Sequence, residues 1–185
     1  MPVRSTAALA VAGCAGTLTA TPGPLLASPV LTEVSGVAAS PSGGGTTWVI
    51  NDSGDVTQLY GIGADASVRE VAVTGAGAAD WEDLAAGRGP GGEPVLWIAD
   101  IGDNDATRLF VTIYRVPEPG ADDTSVAAAA IDVRYPDGAH DAEALMADPA
   151  GPLLIATKDP GRSRLFAVDP PDGSGSVTAR DVGSF

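Results

Sequence analysis

One pattern occurs three times along this chain of 185 residues. Each copy opens with an acidic residue, a spacer, a small or acidic residue and an apolar pair, at residues 33–38, 80–85 and 141–146. A Gly/Pro-rich turn, a second apolar run, a polar Asp/Gly loop and a third run with an aromatic residue follow in every copy. This repetition constrains the fold more than the propensity of any one segment does, because neighbouring units must bury each other's apolar faces.

The spacing of the copies indicates the kind of unit. Leu84 follows Val37 by 47 residues and Leu145 follows Leu84 by 61, and the longer interval contains an insert at residues 118–130. Periods of roughly 40 to 50 residues with several short strands are typical of propeller blades, which are four-stranded sheets packed face to face. We therefore predict an all-β fold, a β-propeller segment of about three blades. The residues predicted to be buried in it include Leu84, Ile98, Leu145 and Ile155.

The predicted units span about residues 31–73, 79–135 and 139–182. A propeller ring closes with roughly four to eight blades, so three blades leave it open. Either the sequence is about half of a six-bladed ring that belongs to a longer chain, or two chains complete one ring by symmetric association. The first explanation is the simpler one, because it requires no interface between chains.

The charge of the chain excludes one class of partner. The sequence has 10 Lys and Arg residues against 24 Asp and Glu residues, which gives a net charge of −14 at pH 7. Nucleic acids and anionic membranes bind to basic surfaces, and this sequence has no basic stripe. We expect no nucleic-acid partner, and contact with a membrane only through a lipid anchor.

The first 30 residues have the features of an export region. A short positive start precedes a short apolar stretch, and the residues that end at Cys14 resemble a bacterial lipoprotein signal, in which the Cys becomes the lipidated first residue. This predicts an export signal at residues 1–13, lipidation of Cys14 and a flexible spacer at residues 14–30. Ordinary signal cleavage, near residues 19–20 or 26–27, also leads to an extracellular or cell-surface protein. A cytosolic protein with an Ala-rich start is the remaining alternative.

Two acidic pairs are the strongest candidates for chemistry. Residues i and i+2 of a strand lie on one face, so Asp80 with Glu82 and Asp141 with Glu143 each place two carboxylates together. At the start of innermost strands, with Asp83 beside them, these carboxylates would surround the mouth of the channel and repel one another unless a cation binds. The sequence thus predicts a site for Ca²⁺ or another divalent cation. Alternatively, the carboxylates accept hydrogen bonds from backbone N–H groups between blades.

A second acidic pattern favours a structural role. Asp52 aligns with Asp100 in a D-x-G-D sequence that two of the polar loops share, and Lys158 stands at the matching position of the third unit. A lysine there argues against a threefold metal site. Because Gly permits positive φ and Asp side chains bind nearby backbone N–H groups, we predict structural turns.

His140 is the only histidine, and it precedes Asp141. Its position beside the acidic residues makes it the best single candidate for a catalytic proton-transfer group. No G-x-S-x-G motif accompanies it, so a Ser-His-Asp hydrolase is not indicated. A structural histidine is the alternative interpretation.

Four stretches, at residues 80–85, 98–104, 113–119 and 135–144, carry a resemblance to a known group. They resemble exported actinobacterial β-propeller proteins, mostly uncharacterised, which are loosely similar to phytase-like and senescence-marker/gluconolactonase-type propellers. The resemblance covers about residues 34–185 and implies the fold more than a reaction.

In gluconolactonase-type relatives, a carboxylate near the start of an inner strand helps to bind a divalent metal over the channel. Glu82 and Glu143 stand at positions that look similar. The Glu-Gly-Pro opening of those relatives is absent, and Ser35 replaces a Glu in the first unit.

These observations predict an exported β-propeller that binds a ligand or a divalent cation at the channel mouth. Two alternatives stay open, namely a metal-dependent hydrolase of phosphoester or lactone type, with Glu82 and Glu143 as metal ligands, and an extracellular scaffold whose blade surfaces bind another protein. The sequence identifies neither a small-molecule nor a protein partner. Convergence of the carboxylates on one point favours the first two functions, and their distribution among turns favours the scaffold.

Replacing Cys14 with Ser tests the lipid anchor. In a bacterial host that processes lipoproteins, we expect the full-length chain in the membrane fraction and the Cys14→Ser variant outside it, because the lipid is attached through the thiol. Cell fractionation followed by immunoblotting measures the difference. An unchanged distribution would show that the anchor interpretation is wrong.

Overall fold

The computed structural model describes residue 26 and residues 28–52, 56–148 and 151–185. The described residues form fourteen β-strands and no α-helix, which confirms the all-β prediction. The predicted export signal, Cys14 and most of the predicted spacer lie outside this part of the chain. Within it, no helix has the length and apolar character needed to cross a bilayer.

Three successive units each contribute four antiparallel strands to a sheet. The first unit consists of β1 (Val34–Ala39), β2 (Thr47–Asn51), β3 (Gln58–Ile62) and β4 (Val68–Thr74). The second consists of β5 (Trp81–Arg88), β6 (Pro94–Asp100), β7 (Val111–Pro117) and β9 (Ala129–Arg134). The third consists of β10 (Ala142–Ala147), β11 (Leu153–Thr157), β12 (Arg164–Val168) and β14 (Arg180–Ser184). The first strand of each unit, β1, β5 or β10, is called its inner strand here.

Two short strands link the second unit to the first and the third unit to the second. β8 (Ser125–Ala127) lies in the β7–β9 connection of the second unit but pairs in parallel with β4 of the first. β13 (Gly175–Thr178), in the β12–β14 connection of the third unit, pairs in parallel with β9 of the second. These strap strands cover the outer edges of the first two sheets. The insert at residues 118–130, which lengthens the repeat, therefore contains a strap strand.

Apolar faces of the sheets pack against each other in two clusters, which fill the spaces between the units. The inner strands approach closely, β1 on β5 and β5 on β10. A Cβ atom on Gly36 of β1 would lie 2.5 Å from the backbone N of Leu84 on β5. Only glycine permits this approach, because real Cβ atoms do not come so near a backbone atom.

The predicted core is confirmed. Leu84, Ile98, Leu145 and Ile155 are all buried. Trp81 is buried in the cluster between the first and second sheets. The described residues form three packed sheets and no closed ring, so the propeller ring stays a prediction.

Polar contacts also join the first two units. Glu118, which follows β7, accepts hydrogen bonds from the Ser40 hydroxyl, the Ser42 backbone N–H and the Trp48 indole N–H of the first unit. Burial alone would raise the pKa of Glu118, but these hydrogen bonds outweigh burial and lower it. A charged Glu118 thus stabilises the contact between the two sheets.

Leu84→Ala should destabilise the protein more than a matched surface change. Leu84 is 2 % exposed in the contact between the first two sheets, so the truncation leaves a cavity and should cost about 2 to 5 kcal/mol of unfolding free energy. Leu109→Ala, at a residue that is 82 % exposed, should change it by no more than about 0.5 kcal/mol. Urea unfolding of both variants measures this difference. Equal effects would contradict the buried contact.

Candidate functional site

All three inner strands contain a β-bulge at the same place. The extra residues are Ser35 in β1, Glu82 in β5 and Glu143 in β10. A bulge interrupts the alternation of a strand and redirects the side chain of the extra residue. The bulges therefore place one polar residue of each unit at the same end of the stacked sheets, where Glu143 is close enough to Glu82 to raise its pKa.

Three carboxylates converge at this end of the sheets. One oxygen each of Asp52, Asp80 and Glu82 lies within 4.8 Å of the other two. Asp52 follows β2 and Asp80 precedes β5, so the first and second units both contribute to this carboxylate cluster. Asp80 and Glu82 lie close together, as predicted. The cause is not strand alternation, because Asp80 precedes β5 and Glu82 is the extra residue of the β5 bulge.

Gly102 lies directly beneath the carboxylate cluster. A Cβ atom at this position would overlap the Asp80 Oδ2 and Glu82 Oε1 atoms. The backbone N–H of Gly102 donates to the Asp80 carbonyl oxygen at 3.2 Å, which ties the loop after β6 to the residues before β5. The missing side chain therefore leaves the space that the two carboxylates occupy.

The carboxylates of the cluster repel one another electrostatically. The pKa of Glu82 is raised from 4.5 to about 8, first by burial and then by the negative charge of Glu143 and of the other two carboxylates. The hydrogen bond to Glu143 acts in the same direction, because it is made by the protonated form. A proton on Glu82, or a cation in its place, relieves this repulsion.

Asp83 and Asp141, which were grouped with the metal ligands, accept hydrogen bonds from backbone groups. Asp83 Oδ2 accepts from the Leu145 N–H of the next unit at 2.7 Å, and Asp141 Oδ1 accepts from the Asp103 N–H at 2.9 Å. Burial raises the pKa of Asp83 although two backbone hydrogen bonds oppose the shift. Both residues lie outside the carboxylate cluster, and these contacts match the alternative interpretation. Their role as metal ligands stays a prediction.

Glu143 has a cationic partner. Lys158 Nζ lies 2.5 Å from Glu143 Oε1, and both side chains are substantially exposed. Glu143 thus lies between Glu82, whose pKa is raised, and a lysine ammonium. Lys158 follows β11 as Asp52 follows β2, so the third unit places a positive charge where the first unit places a negative one.

The strand register corrects the alignment of the acidic loops. Asn51, and not Asp52, occupies the position of Asp100, because each pairs with the residue before the bulge of its inner strand. Asp100 accepts hydrogen bonds from the backbone N–H groups of Ala79 and Asp80, so the predicted turn role holds in the second unit. Asp52 instead joins the carboxylate cluster. The roles of Asp52 and Asp100 differ because they stand one residue apart in the strand register. This offset is visible only when the extra residue of each bulge is counted.

His140 is held between two carboxylates. Its Nδ1 lies 3.0 Å from Asp159 and its Nε2 lies 3.0 Å from Asp137. The ring packs against Tyr135 and Phe166. Partial burial lowers the pKa of His140, but the hydrogen bonds to Asp159 and Asp137 outweigh it, so the pKa is raised. This arrangement joins the turn before β10 to the loop after β11.

No protein-family model, no curated protein and no solved structure matches this chain.

The raised pKa of Glu82 predicts a pH dependence of stability in chelator-treated protein. Between pH 4.5 and about 8 the folded state holds a proton that the unfolded state has lost, so stability falls as pH rises through this window. Glu82→Gln should flatten that decline, and Glu93→Gln, the same charge change at the exposed β5–β6 turn, should not. Melting temperatures across the window measure the slopes. His140 titrates in all three proteins, so the differences between them report on Glu82, and parallel slopes would refute the assignment.

Proposed function

We propose that this chain is an exported β-propeller segment that binds a divalent cation, or a ligand through such a cation, at the mouth of the propeller channel. One observation carries the proposal, the convergence of Asp52, Asp80 and Glu82 oxygens to within 4.8 Å of one another. Oxygens at that spacing can share one cation, since Ca–O bonds are about 2.3 to 2.6 Å long.

The chemistry of the donors supports a hard cation. Carboxylate oxygens are the ligands that Ca²⁺ and Mg²⁺ prefer, and His or Cys ligands are absent from the cluster. Ca²⁺ is the first candidate, because a site open to solvent leaves room for the waters that complete six to eight ligands. The Glu143 carboxylate, next to Glu82, can supply a further oxygen once the proton between them is displaced.

The order of the strands supports the propeller. Each unit runs from an inner strand outward through adjacent antiparallel strands, and each packs its face on the next unit. Equivalent bulges then bring equivalent residues to one end of the stack. In a propeller, that end is a mouth of the central channel.

The surroundings of His140 favour binding over hydrolysis. A catalytic base needs a nitrogen that can reach a substrate proton, whereas both ring nitrogens of His140 already contact carboxylates. The metal-dependent hydrolase remains the alternative, and release of p-nitrophenol or opening of a lactone in the presence of Ca²⁺ would favour it. The scaffold function is supported least, because three of the carboxylates converge instead of separating among the turns.

Binding of Ca²⁺ should stabilise the protein. At free Ca²⁺ of 100 times the dissociation constant we expect about 2.7 kcal/mol, and the chelator should lower the melting temperature accordingly. Glu82→Gln should remove most of this sensitivity, since the amide keeps the shape and loses the charge. Gly102→Ala should do the same, because its Cβ displaces the Asp80 and Glu82 carboxylates. Calorimetric titration with Ca²⁺ and thermal unfolding with and without chelator give the two readouts.

Glu93→Gln is the matched control for this experiment. It removes one negative charge from an exposed turn at the other end of β6, so it should leave calcium affinity within about two-fold of the parent protein. If neither Ca²⁺, Mg²⁺ nor chelator moves the unfolding curve of the parent protein, the cation proposal is wrong. An equal loss of calcium affinity in Glu93→Gln would show that Ca²⁺ binding depends only on the overall charge of the protein.

A further inference from the structure

A cavity of about 330 Å³ lies in the contact between the second and third sheets. It is bounded by the end of β5, the β10–β11 turn and Trp97 of β6, so it lies at the end of the sheets opposite the carboxylate cluster. None of the residues that line it belongs to that cluster. Ligand pockets in proteins begin at about this size.

Polar side chains fill the matching place between the first and second sheets. Glu118 of the second unit accepts hydrogen bonds there from the Ser40 hydroxyl and from the Trp48 indole N–H. A carboxylate, a hydroxyl and an indole thus satisfy one another where the two sheets meet. The third unit packs on the second as the second packs on the first, so the same three positions can be compared in the second contact.

Two of these three side chains are missing from the second contact. Strand pairing puts Trp97 at the position of the tryptophan, Gly87 at the position of the serine and Pro170 at the position of the glutamate. Glycine and proline have no side-chain group that forms a hydrogen bond. The cavity is therefore the space that a serine and a glutamate fill in the first contact.

Two arginines support this alignment independently of the strand pairing. Arg69, stacked on the tryptophan of the first unit, donates to the Pro119 carbonyl oxygen. Arg115, stacked on the tryptophan of the second unit, donates to the Pro171 carbonyl oxygen. These two prolines directly follow the two residues compared above, so contacts outside the strands lead to the same correspondence.

The Trp97 indole N–H retains its place without the acceptor. Trp97 is 2 % exposed, and a Cβ atom on Gly87 would lie 2.9 Å from its Nε1, so the N–H borders the cavity. The other two tryptophans donate to a carboxylate and to a backbone carbonyl oxygen, whereas no residue that the structure describes accepts from Trp97. A buried donor without an acceptor costs free energy, so an acceptor that enters the cavity is stabilised there.

We propose that this cavity binds a small monocarboxylic acid, whose carboxylate takes the place that Glu118 occupies in the first contact and accepts from the Trp97 indole N–H. Arg88 also lines the cavity and supplies a positive charge in a chain whose net charge is −14. Its Nη1–H donates to the Gly92 carbonyl oxygen at 3.4 Å, which leaves other guanidinium N–H groups for the ligand. Hydrogen bonds between charged groups are the strong ones.

The rest of the lining indicates the kind of acid. Ala147 and Leu153 offer apolar surface to the body of the ligand. Asp148 is the other charged residue of the lining, and its carboxylate disfavours a second negative group on the ligand. We therefore expect one carboxylate on a small apolar body.

The occupant is a ligand and not another part of the chain, because the segment that fills the first contact is already present in the second. In both contacts this segment follows the third strand of the later unit. In the third unit it begins after β12, and its Pro170 lines the cavity. A further unit would pack on the outward face of the third sheet and would not reach between the second and third.

The test follows the indole N–H signals of ¹⁵N-labelled protein by NMR, with benzoate as the probe. The chain has three tryptophans, and Trp→Phe variants assign their signals. The Trp97 signal should move downfield as it gains an acceptor, and the other two should not move. Chelator is present throughout, so no cation at the carboxylate cluster can hold the probe and the two proposals are tested separately. Benzamide, which has the same ring without the charge, should bind at least about ten-fold more weakly.

Variants locate the binding, with affinities from calorimetric titration. Gly87→Ala, which puts a methyl group 2.9 Å from Trp97 Nε1, and Trp97→Phe, which removes the donor, should each weaken benzoate at least about ten-fold. Arg88→Gln should weaken it about ten-fold. Arg162→Gln, the same charge change at an exposed residue after β11, should stay within about two-fold.

Pro170→Glu restores the carboxylate of the first contact. It should abolish benzoate binding and move the Trp97 signal downfield without any probe, because the side chain occupies the site. Pro170 is only partly buried, so this variant keeps the test intact if Gly87→Ala or Trp97→Phe fails to fold.

Three results would overturn the proposal. The first is a Trp97 signal that neither benzoate nor acetate moves at concentrations up to about 50 mM. The second is benzamide binding as tight as benzoate binding, and the third is equal weakening by Arg88→Gln and Arg162→Gln. Loss of binding in Pro170→Glu, with Arg162→Gln unaffected, would establish the site.

Discussion

The burial of one sheet's apolar face against the next is the interaction on which this structure depends. The strands are apolar on both faces, as β6 shows with a continuous run of buried residues, so a single unit cannot hide its own surface. The close approach of the inner strands, which Gly36 permits, also determines where the bulges meet. Packing of the first sheet on the second therefore sets the distance between Asp52 of one unit and Asp80 and Glu82 of the next.

The sequence predicted those parts of the fold that the burial of apolar residues determines. The repeat and its apolar runs located the inner strands and the core around Leu84 and Leu145, because burial fixes the register of such residues directly. It did not reveal the strap strands, since Ser125–Ala127 is too short and mixed to form a pattern. Nor could it separate the acidic residues by role. Whether a carboxylate meets a backbone N–H, as Asp83 does, or other carboxylates, as Asp80 does, depends on contacts between distant segments.

The acidic residues divide into two energetic classes. Asp83, Asp100 and Asp141 accept backbone N–H groups, so their charges stabilise loops and contacts between units. The carboxylate cluster has the opposite effect, because burial and mutual repulsion hold Glu82 near neutrality. Functional sites are expected where local electrostatic repulsion destabilises the fold and the surrounding packing compensates for it. That contrast supports the cluster, and not the turns, as the location of the proposed cation site.

The strap strands have a consequence for the order in which the chain folds. Since β8 lies beyond β7, the edge of the first sheet is sealed only after most of the second unit has been made, and β13 seals the second sheet in the same delayed way. Until then β4 and β9 are open edges, which can pair with other chains. Each unit thus completes the edge of its predecessor, and a chain interrupted within the second unit would leave the edge of the first sheet open to aggregation.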